Sequence, residues 1–105
     1  MREKDIEGKC RFLAIAAGGI LWKWVSPGRA GVPDRIMILP GGRVAFVEFK
    51  APGKHPTAQQ EACHRQLRDL GVTVAVIDSP VAFQHLIEEV AGTVPTKSGG
   101  SEVMK

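Results

Sequence analysis

Three charged side chains, Asp34, Glu48 and Lys50, lie in otherwise apolar, strand-like sequence that begins at Gly31. Burying a charge in such sequence is costly unless another group binds it, so this stretch is a candidate site. Two neighbouring carboxylates suit a hard divalent cation such as Mg²⁺, which accepts one or two protein carboxylates and leaves its other positions to water and phosphate. A nearby lysine could orient or deprotonate an attacking water and stabilise the charge that grows on a phosphodiester. The residue types therefore indicate metal-assisted hydrolysis.

Two strands joined by a tight turn must position these side chains. Residues 35–39 and 43–50 are rich in Val, Ile, Met and Phe, and Pro40-Gly41-Gly42 between them is typical of a turn, which predicts an antiparallel hairpin. Side chains alternate with a period of two, so Glu48 and Lys50 share one face of the second strand. The opposite face is predicted to hold Ala45, Val47 and Phe49. Because the turn brings the start of the first strand beside the end of the second, Asp34 is predicted to join them at one end of the sheet.

Periodicities on both sides of the hairpin complete the predicted fold. Apolar stripes predict helices over residues 2–17, 58–70 and 81–90, the second with Thr57 at its N-cap or within one residue of it. Residues 20–25 and 72–77 are predicted strands, and the nearly continuous apolar character of the latter favours the interior of the sheet. Residues 92–105 lack periodicity and are rich in small polar residues, which predicts a disordered tail after a single domain over residues 1–91.

The composition is that of an ordinary globular protein. A chain of 105 residues with 44% apolar and 24% charged residues allows one domain. Its net charge of +3 is compatible with a polyanionic partner without requiring one. No apolar run reaches bilayer length and the charged first residues do not form a signal peptide, so no membrane association and a cytoplasmic location are expected. Cys10 and Cys63 lack CxxC spacing and are expected to be reduced, partly buried thiols without zinc.

The ordered motifs resemble a known nuclease superfamily. Pro33-Asp34 followed, after a gap of 13 residues, by Glu48-Phe49-Lys50 is similar to the PD-(D/E)XK pattern. The longer stretch GVPDRIMILPGGRVAFVEFKAPGK, followed by a helix that bears glutamine, resembles the small stand-alone virus-type replication-repair nuclease (VRR-NUC) domains. The resemblance covers about residues 3–90. It implies a single α/β domain with the αβββαβ core of the restriction-endonuclease-like fold, a mixed sheet flanked by helices.

The resemblance also implies roles for particular residues. Asp34, Glu48 and the main-chain carbonyl of Phe49 would bind Mg²⁺, for which Mn²⁺ can substitute. A glutamate of the first helix would join the site. Glu7 fits this role because apolar residues and the helix-ending glycine follow it at suitable distances, and Glu3 is the fallback. A glutamine near the start of the second helix would lie beside the lysine. The implied catalytic set is Glu7, Asp34, Glu48, Lys50 and Gln60.

Polar side chains near these motifs are candidate DNA contacts, because basic and hydroxyl groups bind phosphates. They are Ser26, Arg29, Lys54, His55, Arg65 and Arg68. His64, on the second helix, is expected to be a surface residue rather than a metal ligand, since no partner of ligand spacing accompanies it. Trp22 and Trp24 are expected to pack at the core or its rim rather than to stack on bases.

Three functions are compatible with these residues. A metal-dependent DNA endonuclease is favoured because it explains why two carboxylates and a lysine occur together in apolar sequence. The alternative is a DNA-binding module on the same scaffold without cleavage. An ordinary exposed pair of Glu48 and Lys50 would leave Pro33-Asp34 and the glutamine helix unexplained. The stand-alone relatives act as homodimers on branched DNA such as Holliday (four-way) junctions, so the resemblance implies a homodimer with that substrate, in a bacterial or phage-infected cell.

Overall fold

The computed structural model describes residues 1–92 and contains three helices and four strands in the predicted order. The elements are α1 (Glu3–Ala16), β1 (Ile20–Lys23), β2 (Arg35–Leu39), β3 (Arg43–Phe49), α2 (Ala58–Asp69), β4 (Val74–Ile77) and α3 (Pro80–Ala91). Each element ends within two residues of its predicted boundary, so the predicted α/β fold is confirmed. The expected tail, residues 92–105, lies outside the described residues apart from Gly92, the C-cap of α3.

The four strands form one mixed sheet in the order β1-β2-β3-β4. The first three strands are antiparallel neighbours, whereas β4 runs parallel to β3. The turn between β2 and β3 uses Gly41 and Gly42, whose φ values of 88° and 73° lie in the left-handed region that glycine adopts without strain. In the resulting register Arg35 lies opposite Val47, so the start of β2 meets the end of β3 as predicted.

The predicted interior position of β4 is wrong. Within the described residues β4 pairs with β3 alone and forms an edge of the sheet. Its apolar character has another cause, because α2 and α3 both contact it. Val74 and Ile77 are buried in this way. Hydrophobic periodicity reports that both faces of a strand are covered, but it cannot report how many neighbouring strands lie beside it.

Helices α1 and α3 cover one face of the sheet and form the main core. The predicted inward residues of β3, Ala45, Val47 and Phe49, are at most 1% exposed. Phe49 packs against Phe83 of α3 with ring centroids 6.0 Å apart. Cys10 of α1 is a free, buried thiol in this core, and Cys63 of α2 is also free and buried but lies outside it. Burial of this apolar surface is the main stabilising contribution to the fold.

Helix α2 lies on the other face, where it contacts β4 and the end of β3. Thr57 is its N-cap, as predicted, because the Thr57 hydroxyl accepts from the Gln60 N–H at 3.1 Å. The loop before β2 reaches the same helix end at Gly31, which has a φ of +85°. A Cβ atom at Gly31 would lie 2.6 Å from the Gln59 carbonyl oxygen, so only glycine fits this approach. The start of β2, the end of β3 and the start of α2 therefore meet at one place.

The remainder of that face is open and apolar. Trp22 of β1 is 62% exposed and Val44 of β3 is 41% exposed, with the half-buried Ile36 and Ile38 of β2 between these strands. Trp24 packs as expected, against the ring of Phe46 at 5.4 Å, whereas Trp22 lies on the open face and not in the core.

None of the helices in residues 1–92 has the length and apolar character that a membrane span requires.

Candidate active site

Asp34 and Glu48 lie on neighbouring strands at the same end of the sheet. The β2–β3 register, continued by one residue, places them opposite each other. Glu48 is only 4% exposed. Asp34 Oδ1 and Glu48 Oε1 are buried, and neither has a hydrogen-bond partner among the described residues. The predicted meeting of the two carboxylates is therefore seen in the structure, with two acceptor oxygens left unsatisfied.

The surroundings of the two carboxyl groups disfavour their charged forms. Burial, together with repulsion from Asp34, raises the pKa of Glu48 to about 7, although the charge of Lys50 opposes this rise. Burial also raises the pKa of Asp34 above its usual value, against the opposing charge of Arg35. The backbone N–H of Phe49 donates to the Asp34 carboxylate and partly compensates for the burial. A cation between the carboxylates would relieve both the burial and the repulsion.

A proline opposite Phe49 bears on the predicted role of the Phe49 carbonyl as a third oxygen ligand. Lys50 and Phe46 donate their N–H groups to β4, so the main-chain groups of Phe49 point toward β2. The register, continued by two residues beyond the Arg35–Val47 pair, places Pro33 opposite Phe49, and proline has no N–H to donate to that carbonyl. Within residues 1–92 no group of three or more His, Cys, Asp and Glu side chains is arranged to hold a metal. Two carboxylates and one carbonyl nevertheless fit Mg²⁺, which takes few protein ligands.

Helix α2 contributes Gln60 and, contrary to expectation, His64. The Gln60 side-chain N–H₂ donates to Glu48 Oε2 at 3.2 Å, while its Oε1 accepts from the Thr57 N–H at 2.9 Å. One amide therefore serves both the helix cap and the carboxylate. His64 was predicted on the surface, but it is 1% exposed and its Nε2 lies 3.9 Å from Glu48 Oε1.

The error concerns which side of α2 faces the sheet. Its buried side runs through Cys63 and His64, with Gln60 half-buried one turn earlier, whereas Leu70 at its end is 82% exposed. The spacing of four residues between Gln60 and His64 places both side chains on one helical face. Once Gln60 was assigned to the site, that spacing could have located His64 beside it.

The two candidate glutamates of α1 occupy different surroundings. Glu7 Oε2 accepts from Arg35 Nε at 3.4 Å, and Arg35 in turn donates Nη1 to the Asp34 carbonyl at 2.9 Å. Glu7 thus reaches Asp34 through Arg35. Glu3, in the first turn, is the glutamate of α1 whose charge raises the pKa of both Asp34 and Glu48. Which glutamate joins the reaction stays a prediction.

Arg35 is a site residue that the sequence interpretation missed. It forms ion pairs with Glu7 and with Asp34, the second at 3.7 Å between Nη1 and Oδ2. Arg35 shares its strand face with Met37 and Leu39, which are buried toward the core. A positively charged side chain at the start of such a face requires a counter-ion. This requirement could have identified Arg35 as a site residue from the sequence.

Comparison with known proteins identifies the architecture that holds these residues. The model of the VRR-NUC domain family matches residues 11–80. The chain belongs to the VRR-NUC family. "Putative nuclease p44" of Acyrthosiphon pisum secondary endosymbiont phage 1 is 49% identical over 79 residues, which are 75% of this chain and 85% of that protein. A solved structure described as a VRR-NUC domain superposes with a TM-score of 0.76 at 33% identity, covering 82% of this chain and 94% of the other. The resemblance stated from the motifs is confirmed, and the chain is a nuclease domain.

The remaining predicted residues of this VRR-NUC domain directly follow β3 or lie in the loops before β2 and before α2. Lys50 follows β3 directly and is half-buried, and its charge acts on Glu48. Lys54 and His55 are exposed in the loop between β3 and α2. Ser26 and Arg29 line a cavity of about 590 Å³ whose apolar wall includes Trp24. These positions are compatible with a phosphate-binding rim, and their contacts with DNA stay predictions.

The two arginines of α2 differ in their freedom to contact DNA. Arg65 of the VRR-NUC domain is exposed. Arg68 donates Nε and Nη2 to the Val74 carbonyl at 3.2 and 2.7 Å, which holds its guanidinium against β4. Only its remaining N–H donors are left for a phosphate. Arg65 is therefore the better placed of the two for a DNA contact.

Proposed function

We propose that this VRR-NUC domain is a divalent-metal-dependent DNA endonuclease that uses Mg²⁺, with Mn²⁺ as a substitute. The observation that carries the proposal is the pair of buried acceptor oxygens, Asp34 Oδ1 and Glu48 Oε1, which lack donors within residues 1–92. Such oxygens are rarely left unsatisfied unless a ligand satisfies them. Asp34, Glu48 and the Phe49 carbonyl would hold the ion. When bound, it supplies Lewis-acid activation of the phosphate and a water of lowered pKa.

The other residues of the site then have separate tasks in hydrolysis. Lys50 lies on the same strand face as Glu48, where its ammonium group can orient the attacking water and stabilise charge on the phosphate oxygens. Gln60 fixes the Glu48 carboxylate through the hydrogen bond to Oε2. Basic side chains of the loops, with Arg29 and Lys54 among them, bind the flanking phosphates and hold the backbone in place.

Conservative replacement of the two carboxylates tests the metal site. Asp34→Asn and Glu48→Gln should abolish cleavage with Mg²⁺ or Mn²⁺ and leave DNA binding largely intact, because each keeps the side-chain shape but removes an anionic ligand. Glu89→Gln is the matched control, since Glu89 is exposed on α3, across the sheet from the site. Cleavage at the parental rate by either site variant would refute the assignment. Binding of DNA by the parent without cleavage in either metal would instead favour the binding module.

The proposal extends to a homodimer that selects branched DNA. Support comes from the open sheet face around Trp22, since exposed apolar patches of this kind mark protein–protein contacts. Two copies related by a two-fold axis would present paired sites to the symmetric strands of a four-way junction. Light scattering should show a dimer for the parent and a monomer for Trp22→Lys. Phe12→Lys, at a 72% exposed position of α1, serves as the control.

Substrate selectivity is tested separately from the oligomeric state. Cleavage rates on four-way junction, flap, single-stranded and duplex DNA should favour the junction for the parent. Trp22→Lys should lose this preference while it keeps residual cutting of simpler substrates, because each single chain retains its own site. Equal cutting of junction and duplex by a parent that is monomeric at micromolar concentration would leave a plain endonuclease.

A further inference from the structure

The second turn of α2 buries a histidine for which the proposed reaction has no task. His64 is 1% exposed, and among residues 1–92 its Nε2 has no hydrogen-bond partner. Glu48 Oε1 is also buried and unpartnered, and these two atoms lie 3.9 Å apart. A donor and an acceptor, both cut off from solvent, thus face each other across the contact between α2 and β3. Buried polar atoms of proteins are nearly always paired, so this juxtaposition calls for an explanation.

The separation is close to that of a hydrogen bond. An N–H···O contact is about 2.9 Å long, so a side-chain adjustment of about 1 Å would bring the two atoms together. One turn earlier, Gln60 already donates to the other oxygen of the same carboxylate. Helix α2 therefore presents two potential donors four residues apart, one for each oxygen of Glu48. This is the spacing at which helical side chains reach the same target.

A hydrogen bond from His64 would leave the charge of Glu48 in place. An imidazole can carry its N–H on Nε2, the atom that faces Glu48 Oε1. Such a donor orients a carboxylate without removing its charge, so the negative charge of Glu48 stays available to a cation.

We propose that His64 is a positioning residue that donates its Nε2–H to Glu48 Oε1 and, with Gln60, fixes the carboxylate in the orientation that binds the metal. The inference rests on the proposed function, because this orientation matters only if Glu48 is a ligand. Glu48 Oε1 has two lone pairs, so one lone pair can accept from His64 while the second stays open to the cation of the proposed function. Groups that orient metal ligands in this way typically change metal affinity or activity by about 10- to 100-fold when removed.

Two substitutions separate hydrogen bonding from packing. His64→Gln places an amide N–H donor near the position of Nε2, whereas His64→Leu fills a comparable volume without a donor.

Mn²⁺ binding is measured by calorimetry without DNA, and stability by urea unfolding in EDTA. We expect His64→Leu to weaken Mn²⁺ binding about 10- to 100-fold and His64→Gln to remain within about threefold of the parent. His64→Met is a second donor-free variant if the leucine variant does not fold. The matched controls are His85→Gln and His85→Leu, at an exposed position of α3.

A second measurement shows whether a variant with weaker Mn²⁺ binding is impaired in metal binding or in the chemical step. If His64 acts through metal binding, saturating Mn²⁺ should restore most of the single-turnover cleavage rate of His64→Leu, whereas damage to the chemical step would persist at saturation. Parental Mn²⁺ affinity in folded His64→Leu and His64→Met would overturn the inference. Equal weakening in the Gln and Leu variants would also overturn it, because it would make the imidazole itself a metal ligand. Failure of the parent to bind Mn²⁺ would remove the proposed metal dependence, and this inference with it.

Discussion

Replacing Glu48 by glutamine should inactivate the enzyme and stabilise the metal-free fold at the same time. The reason is the raised pKa of Glu48, about 7 in the folded chain against a usual value of 4.5. Because the folded state binds this proton more tightly than the unfolded state, stability is greatest at low pH. It falls as the pH rises from 4.5 toward 7 and stays low above that range. A shift of this size corresponds to about 3 kcal/mol at pH 8, but to under about 1 kcal/mol at pH 5.

Glutamine does not ionise in this pH range, so the stability of Glu48→Gln should not fall as the pH rises. Urea unfolding in EDTA should show the variant to be more stable than the parent by about 3 kcal/mol at pH 8 and nearly equal to it at pH 5. Added Mg²⁺ should stabilise the parent at pH 8 and leave the variant unchanged, because a ligand of the folded state raises its stability. The control Glu89→Gln should show no such dependence on pH. A stability difference that is the same at both pH values would refute the electrostatic reasoning.

Three further outcomes follow from the geometry. Lys50→Ala should slow single-turnover cleavage by about a hundredfold or more, and weaker DNA affinity with an unchanged rate would instead mark Lys50 as a phosphate anchor. Comparison of the single-turnover cleavage rates of Glu3→Gln and Glu7→Gln should show which glutamate serves catalysis. Stability is measured alongside, because loss of Glu7 also leaves Arg35 without one partner and should lower stability, whereas loss of the exposed Glu3 should not. Gly31→Ala should destabilise the fold by about 2 kcal/mol or more, since it combines a positive φ with a close approach to α2; urea unfolding that shows no change would contradict this packing.

Local patterns were sufficient for the elements and for the meeting of the two carboxylates, Asp34 and Glu48. Alternation with a period of two placed Glu48 opposite the core face of β3, and the glycine turn fixed the register that brings Asp34 beside it. These features depend on neighbours in the chain, so periodicity and turn chemistry can report them. The Thr57 cap was predictable for the same reason, because its partner, Gln60, is three residues away.

Features that depend on contacts between distant elements were not predictable in this way. The edge position of β4 depends on what pairs beside it, and the burial of His64 depends on the direction from which α2 meets the sheet. The choice between Glu3 and Glu7 likewise depends on how α1 lies across Arg35, 28 residues from Glu7 in sequence. Sequence patterns limited these possibilities. The packing of helices on the sheet decided the first two, and the choice between Glu3 and Glu7 stays open to experiment.

The amide of Gln60, which is shared between the N-cap of α2 and Glu48, couples the site to local unfolding of the helix. Fraying of the first turn of α2 breaks the capping box, and the same motion withdraws the donor from Glu48 Oε2. A Glu48 carboxylate held in place therefore favours the closed helix end. A bound cation that holds Glu48 should therefore slow amide hydrogen exchange at the start of α2, although none of its proposed ligands belongs to that helix. Conversely, a better cap at residue 57 should tighten metal binding at the end of β3, by reducing the time that the carboxylate spends unrestrained.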